Sequence, residues 1–218
     1  MRTLEKLFLL LFLGLIFFSC NKQNEDKKYV LDNNDLSIIQ SVQQTNWTLK
    51  DDYNRTIELL NKAIEAKPYV WEFYNYKIWV SQAYYYEQND YGTFNQKVIE
   101  YMENYIKNTK SELTVLQNYL YGFSLMLENQ NEKAMPYLKK ASKYLTKVKK
   151  TPEYGSEEET NLGCAIICAF LSNNLDENKL KKYESLFQNN TTLYESYLAL
   201  VRNETPESLV KQNGTWSW

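Results

Sequence analysis

The sequence contains no histidine, and it has only six glycines and four prolines among its 218 residues. The absence of histidine removes the commonest general base and the commonest metal ligand. Few glycines and prolines, together with few alternating runs of β-branched residues, favour an all-α protein. The formal net charge is only −2. No nucleic-acid partner is therefore expected, because nucleic acid requires a clustered basic face.

Patterns typical of enzymes are also missing from the sequence. It has no glycine-rich phosphate loop, no nucleophile elbow and no histidine-containing triad. Asp51, Asp52 and residues 157–159, which are all glutamate, are predicted at polar turns or helix starts, where acids favour the helix dipole. We therefore expect a protein that is not an enzyme, with no cofactor and no metal site.

Cys164 and Cys168 lie four residues apart in an apolar segment. Two cysteines without histidine cannot complete a tetrahedral zinc site. Within one regular helix their side chains point in directions that do not suit a disulfide. We expect buried free thiols that act as small apolar side chains; a disulfide, which export would allow, is the alternative.

The N-terminal segment has the features of an export signal. Arg2 and Lys6 are followed by an uncharged apolar run over residues 7–18, which is shorter than the roughly 20 residues of a transmembrane helix. Ser19 and Cys20 end this run, and the polar stretch NKQNEDKK comes next. The arrangement resembles the bacterial lipoprotein signal of the Bacteroidetes-like kind, in which the cysteine becomes lipidated and N-terminal.

The resemblance implies that residues 1–19 are a signal peptide and that Cys20 carries the lipid. Phe17 and Phe18 depart from the leucine and small residue that are usual in this motif; an ordinary signal peptide or an uncleaved anchor is the alternative. Asn21 is not the aspartate associated with inner-membrane retention. The resemblance therefore implies a lipid-anchored protein of the cell envelope, with the outer membrane favoured and the chain facing the periplasm or the surface.

Residues 21–31 have almost no apolar side chains apart from Tyr29, Val30 and Leu31, and residues 20–34 are expected to form a flexible tether. Helical periodicity follows over residues 35–212, with Asp35 as the expected cap of the first helix. The sequence Thr205-Pro206 predicts the start of a last helix.

The tail, residues 213–218, is too short to fold by itself. We expect its Trp216 and Trp218 to dock on the last helix; contact with a partner is the alternative.

Two segments of the body share a spacing of small and large apolar residues: Thr56, Leu60, Ala63 and Pro68 in one, and Gly122, Ala134, Leu138 and Ala141 in the other. These spacings resemble tetratricopeptide repeats, in which small residues allow two helices to cross closely. Pro136 is expected in the first turn of its helix, where its missing N–H costs little. The resemblance implies stacked antiparallel helical hairpins, a tetratricopeptide-like α-solenoid of about four hairpins with C-terminal capping helices. A helical bundle without repeats is the alternative.

Aromatic residues are concentrated over residues 71–86. In tetratricopeptide-like stacks the first helices of the hairpins line a concave groove. The resemblance therefore implies a candidate partner-binding groove formed by Val80, Tyr84, Glu87, Leu116, Tyr119, Phe123 and Met126. An apolar, aromatic groove suits an extended or helical peptide, or the flat face of a sugar. The alternative is that these aromatic residues pack hairpin against hairpin.

Six lysines are clustered over residues 139–150: Lys139, Lys140, Lys143, Lys147, Lys149 and Lys150. We expect them to form a solvated outer face, offset by the glutamates that follow; contact with anionic lipid headgroups is the alternative.

Together these features predict a membrane-anchored lipoprotein that acts as a non-catalytic protein- or peptide-binding adaptor in the cell envelope. The alternatives are a glycan- or small-ligand-binding lipoprotein and an immunity-type protein that neutralises a toxin by binding. A hydrolase is least favoured.

Overall fold

The computed structural model of the chain describes residues 29–213, with side chains given through Lys211. Over these residues it contains ten α-helices and no strand, which confirms the all-α prediction. The helices are α1 (Asn33–Gln43), α2 (Lys50–Ala66), α3 (Trp71–Glu87), α4 (Tyr91–Asn108), α5 (Val115–Leu127), α6 (Asn131–Ser142), α7 (Glu157–Leu171), α8 (Glu177–Lys181), α9 (Thr191–Asn203) and α10 (Pro206–Asn213). The predicted signal peptide, Cys20, Trp216 and Trp218 lie outside the described residues.

The described residues form two compact units, 29–112 and 113–213. In the first unit α1, α2, α3 and α4 each pack against the next helix in the chain, and α1 also contacts α3. In the second unit α5, α6 and α7 pack on one another, α9 contacts α8, and α10 packs against α5. Neighbours in sequence are therefore mostly neighbours in space within each unit.

Helix ends follow local chemistry. α2 ends at Ala66, two residues before Pro68, because proline cannot continue a helix. Thr114 begins α5 with a reciprocal capping box, in which its hydroxyl accepts from the Gln117 amide and the Gln117 side chain accepts from the Thr114 amide. α10 begins at Pro206 directly after Thr205, as predicted.

Two local predictions are wrong. The first helix begins at Asn33, and Asp32 rather than Asp35 is its N-cap. Asp35 is the third helical residue, and its carboxylate accepts a hydrogen bond from the Asp32 amide at 3.1 Å. Pro136 is the sixth residue of α6, beyond the first turn, so the carbonyl of Glu132 lacks its usual amide donor from the residue four places on.

Three helix-to-helix turns share one backbone geometry. Asn89, Asn129 and Asn173 have φ values of 56°, 58° and 57°, in the left-handed region. In each turn the residue after the asparagine donates its backbone amide to a carbonyl oxygen. The acceptor lies five residues before the donor, at a distance of 2.8–2.9 Å. This is the Schellman arrangement, with asparagine in the place that glycine usually occupies. The turns after α3, α5 and α7 are thus versions of one connection.

The helices α5 and α6 approach closely at Gly122. A Cβ atom built on Gly122 would lie 2.9 Å from Cδ2 and 3.3 Å from the backbone nitrogen of Leu138. Ala134, Leu138 and Ala141 of α6 are buried. A residue without a side chain therefore stands where α5 and α6 come close together.

Candidate functional site

The aromatic helix α3 carries three of the seven predicted groove residues. Val80 is fully buried, Tyr84 is half-buried, and Glu87 is exposed at the C-terminal end of the helix. Tyr84 and Glu87 are therefore the accessible members of this set, and Val80 belongs to the core.

Tyr84 belongs to a cluster of three tyrosines. Its ring stacks on Tyr53 of α2, with ring centroids 4.2 Å apart and planes inclined by 12°. Tyr85 meets both rings edge-on, and the Tyr53 and Tyr85 hydroxyl oxygens are 3.4 Å apart. Burial, followed by the hydrogen bond with Tyr53, raises the pKa of Tyr85 to about 12. Tyr53 is buried, whereas Tyr84 and Tyr85 are half-buried, so the tyrosine cluster Tyr53, Tyr84 and Tyr85 is half-open.

Lys77 lies on the same helix and is not among the site residues predicted from the sequence. It is 6 % exposed. Its ammonium group donates to Asn61 Oδ1 at 2.8 Å and lies 3.9 Å from the ring centroid of Tyr101. Burial lowers the pKa of Lys77 to about 8, although Glu100 raises it in part. A charged residue in the middle of an aromatic run was the available signal in the sequence, because a helix hydrophobic on all sides buries whatever it carries.

The other four groove residues are in α5, in the second unit. Leu116 is half-buried, whereas Tyr119, Phe123 and Met126 are buried. The rings of Tyr119 and Phe123 are nearly parallel, with centroids 5.7 Å apart. A groove that runs through both sets of residues stays a prediction, and Leu116 is the accessible member of this second set.

A cavity of about 380 Å³ lies beside the end of α1, in the first unit. It is lined by Ser41, Gln44, Thr45, Asp52, Arg55, Thr56 and Leu59, of which all but Leu59 are polar residues. The Thr45 and Thr56 hydroxyl oxygens are 3.0 Å apart, and Arg55 is paired with Asp52. The cavity thus offers hydroxyl, amide, guanidinium and carboxylate groups close together. The sequence gives no signal for this cavity, because its lining residues come from separate helices and the loop between them.

The segment that enters α1 is held by an ion-pair cluster. Lys67 Nζ lies 2.7 Å from a carboxylate oxygen of Asp32 and 2.7 Å from one of Asp35. The Tyr29 hydroxyl donates to the other Asp35 oxygen at 2.8 Å. Hydrogen bonds to Asp32 and Asp35 raise the pKa of Lys67 above its usual range. This cluster fixes residue 29 against the turn between α2 and α3.

The two cysteines and the acidic groups lie where the sequence predicts. Cys164 and Cys168 are free and buried in α7, and burial raises the pKa of Cys164 to about 12 and that of Cys168 above its usual value. Asp51 and Asp52 occupy the first turn of α2, and residues 157–159 occupy the first turn of α7. These thiols are therefore protonated core side chains, and the acids stand at helix N-termini.

The six clustered lysines, Lys139, Lys140, Lys143, Lys147, Lys149 and Lys150, are all exposed. Those on α6 lie on the side opposite the buried residues Ala134, Leu138 and Ala141. The predicted outer lysine face is confirmed in this respect.

In the part of the chain that the structure describes, no group of three or more acidic, cysteine or histidine residues is arranged to hold a metal ion. None of the helices in this part of the chain is both long and apolar enough to cross a membrane.

No protein-family model, no curated protein and no solved structure gives a significant match to this chain. The resemblances to lipoproteins and to tetratricopeptide repeats therefore rest on the residues of this chain.

Proposed function

We propose that this chain is a lipid-anchored, tetratricopeptide-like protein of the cell envelope, with the outer membrane favoured, which binds a protein or peptide partner without catalysing a reaction. The lipid on Cys20 would hold the protein at the membrane. The helical body would present the binding surface.

The repeat character of the body is supported by its turns and by one helix crossing. The left-handed asparagines at 89, 129 and 173 recur after 40 and then 44 residues, a longer period than the about 34 residues of a tetratricopeptide repeat. Gly122, which the resemblance gives as a first-helix glycine, lies close to Leu138 of the next helix. Stacked hairpins with lengthened repeats are consistent with both observations.

Binding is supported chiefly by one observation, the half-open tyrosine cluster next to the exposed Glu87. Tyrosine supplies large contact area with a polar rim, and it is enriched at protein interfaces. The stacking of Tyr84 on Tyr53 at 4.2 Å holds the ring in place before a partner arrives, so little further entropy is lost on binding. An adjacent acidic side chain favours a partner segment that carries a basic residue.

The anchor is tested by Cys20→Ala. We expect the variant to be released from membranes and to lose incorporation of radiolabelled palmitate, because the acyl chains would have no attachment site. Palmitate incorporation that survives the substitution would disprove lipidation at Cys20.

Partner binding is tested by affinity capture from detergent-solubilised envelope, with the full chain as bait. The double variant Tyr84→Ala with Glu87→Arg is expected to capture roughly tenfold less of a stoichiometric partner, or less still. A loss of this size is typical when an interface anchor is removed. Tyr69→Ala is the matched control, since Tyr69 is a 48 % exposed tyrosine of the same unit outside the predicted groove. Circular dichroism checks that both variants remain folded. Equal capture by all three proteins would exclude this surface.

A second candidate function is the binding of a small polyhydroxylated ligand such as a sugar. The cavity beside α1 favours it, because its volume of about 380 Å³ is within the ~300–1,000 Å³ usual for ligand sites and its hydroxyl groups can both donate and accept. Glycan-array binding that is lost in Arg55→Met and retained in Tyr84→Ala would favour this function over a protein partner.

A further inference from the structure

The lysine face, defined as Lys139, Lys140, Lys143, Lys147, Lys149 and Lys150, concentrates positive charge in a short segment. Residues 139–150 contain six lysines and no acidic residue, whereas the whole chain has a net charge of −2. All six side chains are exposed. The charge of the protein is therefore distributed unevenly, with six exposed lysines in one short segment of the second unit.

An exposed aromatic residue lies next to this face. Tyr154 is four residues beyond Lys150 and is 68 % exposed. Tyrosine is one of the residues that favour the boundary between water and lipid headgroups, because its ring is apolar and its hydroxyl is polar. Basic side chains together with such a ring are features of surfaces that lie on membranes.

Acidic residues limit the strength of this surface. Glu153, Glu157 and Glu158 follow the lysines and are exposed. Burial raises the pKa of Tyr144, and the nearby carboxylates of Glu158 and Glu157 raise it further. They leave an excess of three positive charges over residues 139–158. The surface is therefore suited to reversible contact rather than to independent anchoring.

We propose that the lysine face and Tyr154 dock on an anionic phospholipid surface. The type of residue favours lipid over an acidic protein, since protein interfaces are depleted in lysine and use arginine, with its planar two-point hydrogen bonding. Mobile headgroups attract lysines without fixing each long side chain in one geometry. This proposal rests on the proposed lipid anchor, which keeps the face within reach of a bilayer.

Amine footprinting of the full chain in vesicles tests the proposal. The protein is reconstituted in phosphatidylcholine–phosphatidylglycerol vesicles or in phosphatidylcholine vesicles, neither of which contains a primary amine, and is treated briefly with a membrane-impermeant acylating reagent. Each lysine near an anionic surface strengthens association roughly fivefold, so Lys149 and Lys150 should react on the order of tenfold more slowly in the anionic vesicles. High salt should abolish this protection, because it screens the attraction.

Two triple variants separate the lysine face from general charge. Lys139→Gln, Lys143→Gln and Lys147→Gln together should remove the protection of Lys149 and Lys150. Lys50→Gln, Lys107→Gln and Lys110→Gln change the total charge equally at exposed lysines of the other unit and should leave it intact. Glu157→Gln with Glu158→Gln should increase it.

Three results would overturn the proposal: equal labelling rates in both vesicle types, equal effects of the two triple variants, or protection that arises only when envelope proteins are added. The last result would assign the face to an acidic protein partner. The mass of the peptide that contains Cys20, measured in the same sample, shows whether the chain is lipidated. Failure of the anchor and failure of the docking surface are therefore distinguished.

Discussion

Gly122 and Leu138 define the closest approach of α5 and α6: a Cβ atom on Gly122 would lie only 2.9 Å from the Leu138 side chain and 3.3 Å from its backbone nitrogen. The leucine methyl group could move, but the backbone of α6 could not without shifting the helix. The absence of a side chain at position 122 is therefore a packing requirement.

We predict that Gly122→Ala lowers the free energy of unfolding by about 1–2 kcal/mol, since overpacking outweighs the gain in helix propensity. Gly92→Ala is the control, because nothing lies within 4 Å of a Cβ atom at that position. This control should be neutral or stabilising by up to ~1 kcal/mol. Urea unfolding followed by circular dichroism measures both, and a neutral Gly122→Ala would contradict the close approach.

The shared turn geometry predicts a common substitution pattern at Asn89, Asn129 and Asn173. Replacing Asn129 with alanine should cost about 1 kcal/mol, because a Cβ atom without a compensating polar group disfavours φ near 58°. Replacing it with glycine should change stability by only a few tenths of a kcal/mol. Comparable differences between the alanine and glycine variants are expected at the other two turns. Alanine variants as stable as the glycine variants would argue against this backbone conformation.

Because Lys77 is buried, we expect the free energy of unfolding to increase with pH in the alkaline range. The unfolded chain keeps this proton up to the ordinary lysine pKa of 10.5, whereas the folded chain releases it near its pKa of about 8. The unfolded state therefore binds more protons between these values, and the free energy of unfolding rises with pH, by ~2 kcal/mol between pH 8 and 10. Above about pH 10 it falls again, because the pKa values of Tyr86 and Tyr101 are raised to about 12 in the folded chain.

The variant Lys77→Met should abolish the rise between pH 8 and 10, keep the fall above pH 10, and be at least as stable as the wild type at pH 7, where it no longer buries a charge. Lys62→Met, at an exposed lysine, should retain the full profile. Urea unfolding across pH 7–11 measures the three curves. An unchanged rise in Lys77→Met would assign it to another group.

Lys67 and Lys62 both pair with a carboxylate at 2.7 Å, but in different surroundings. The Asp35 carboxylate is 1 % exposed, whereas the Lys62–Glu58 pair is mostly in water. Lys67→Met should lower the melting temperature by several degrees, because it leaves a buried carboxylate without its cation. Lys62→Met should have no measurable effect. Equal shifts in the two variants would show that the cluster at the start of α1 is not buried in solution.

The extent of the helices could be predicted from the sequence because their signals are local. Pro68 marks the end of α2, and Thr205-Pro206 marks the start of α10, at the positions observed. The misplaced cap of α1 shows the limit of such signals. Asp32 and Asp35 are both acceptable N-caps, and the hydrogen bonds that they exchange decide which one begins the helix.

The sequence by itself determined the all-α class, the position of Gly122 at the close approach of α5 and α6, and the exposed lysines, because periodicity and side-chain size act within one helix or between adjacent helices. Only the tertiary structure decided which aromatic residues are accessible. The stacking of Tyr84 on Tyr53 and the burial of Lys77 against Tyr101 depend on how separate helices pack. Such contacts follow from three-dimensional packing, which residue spacing along one chain does not encode.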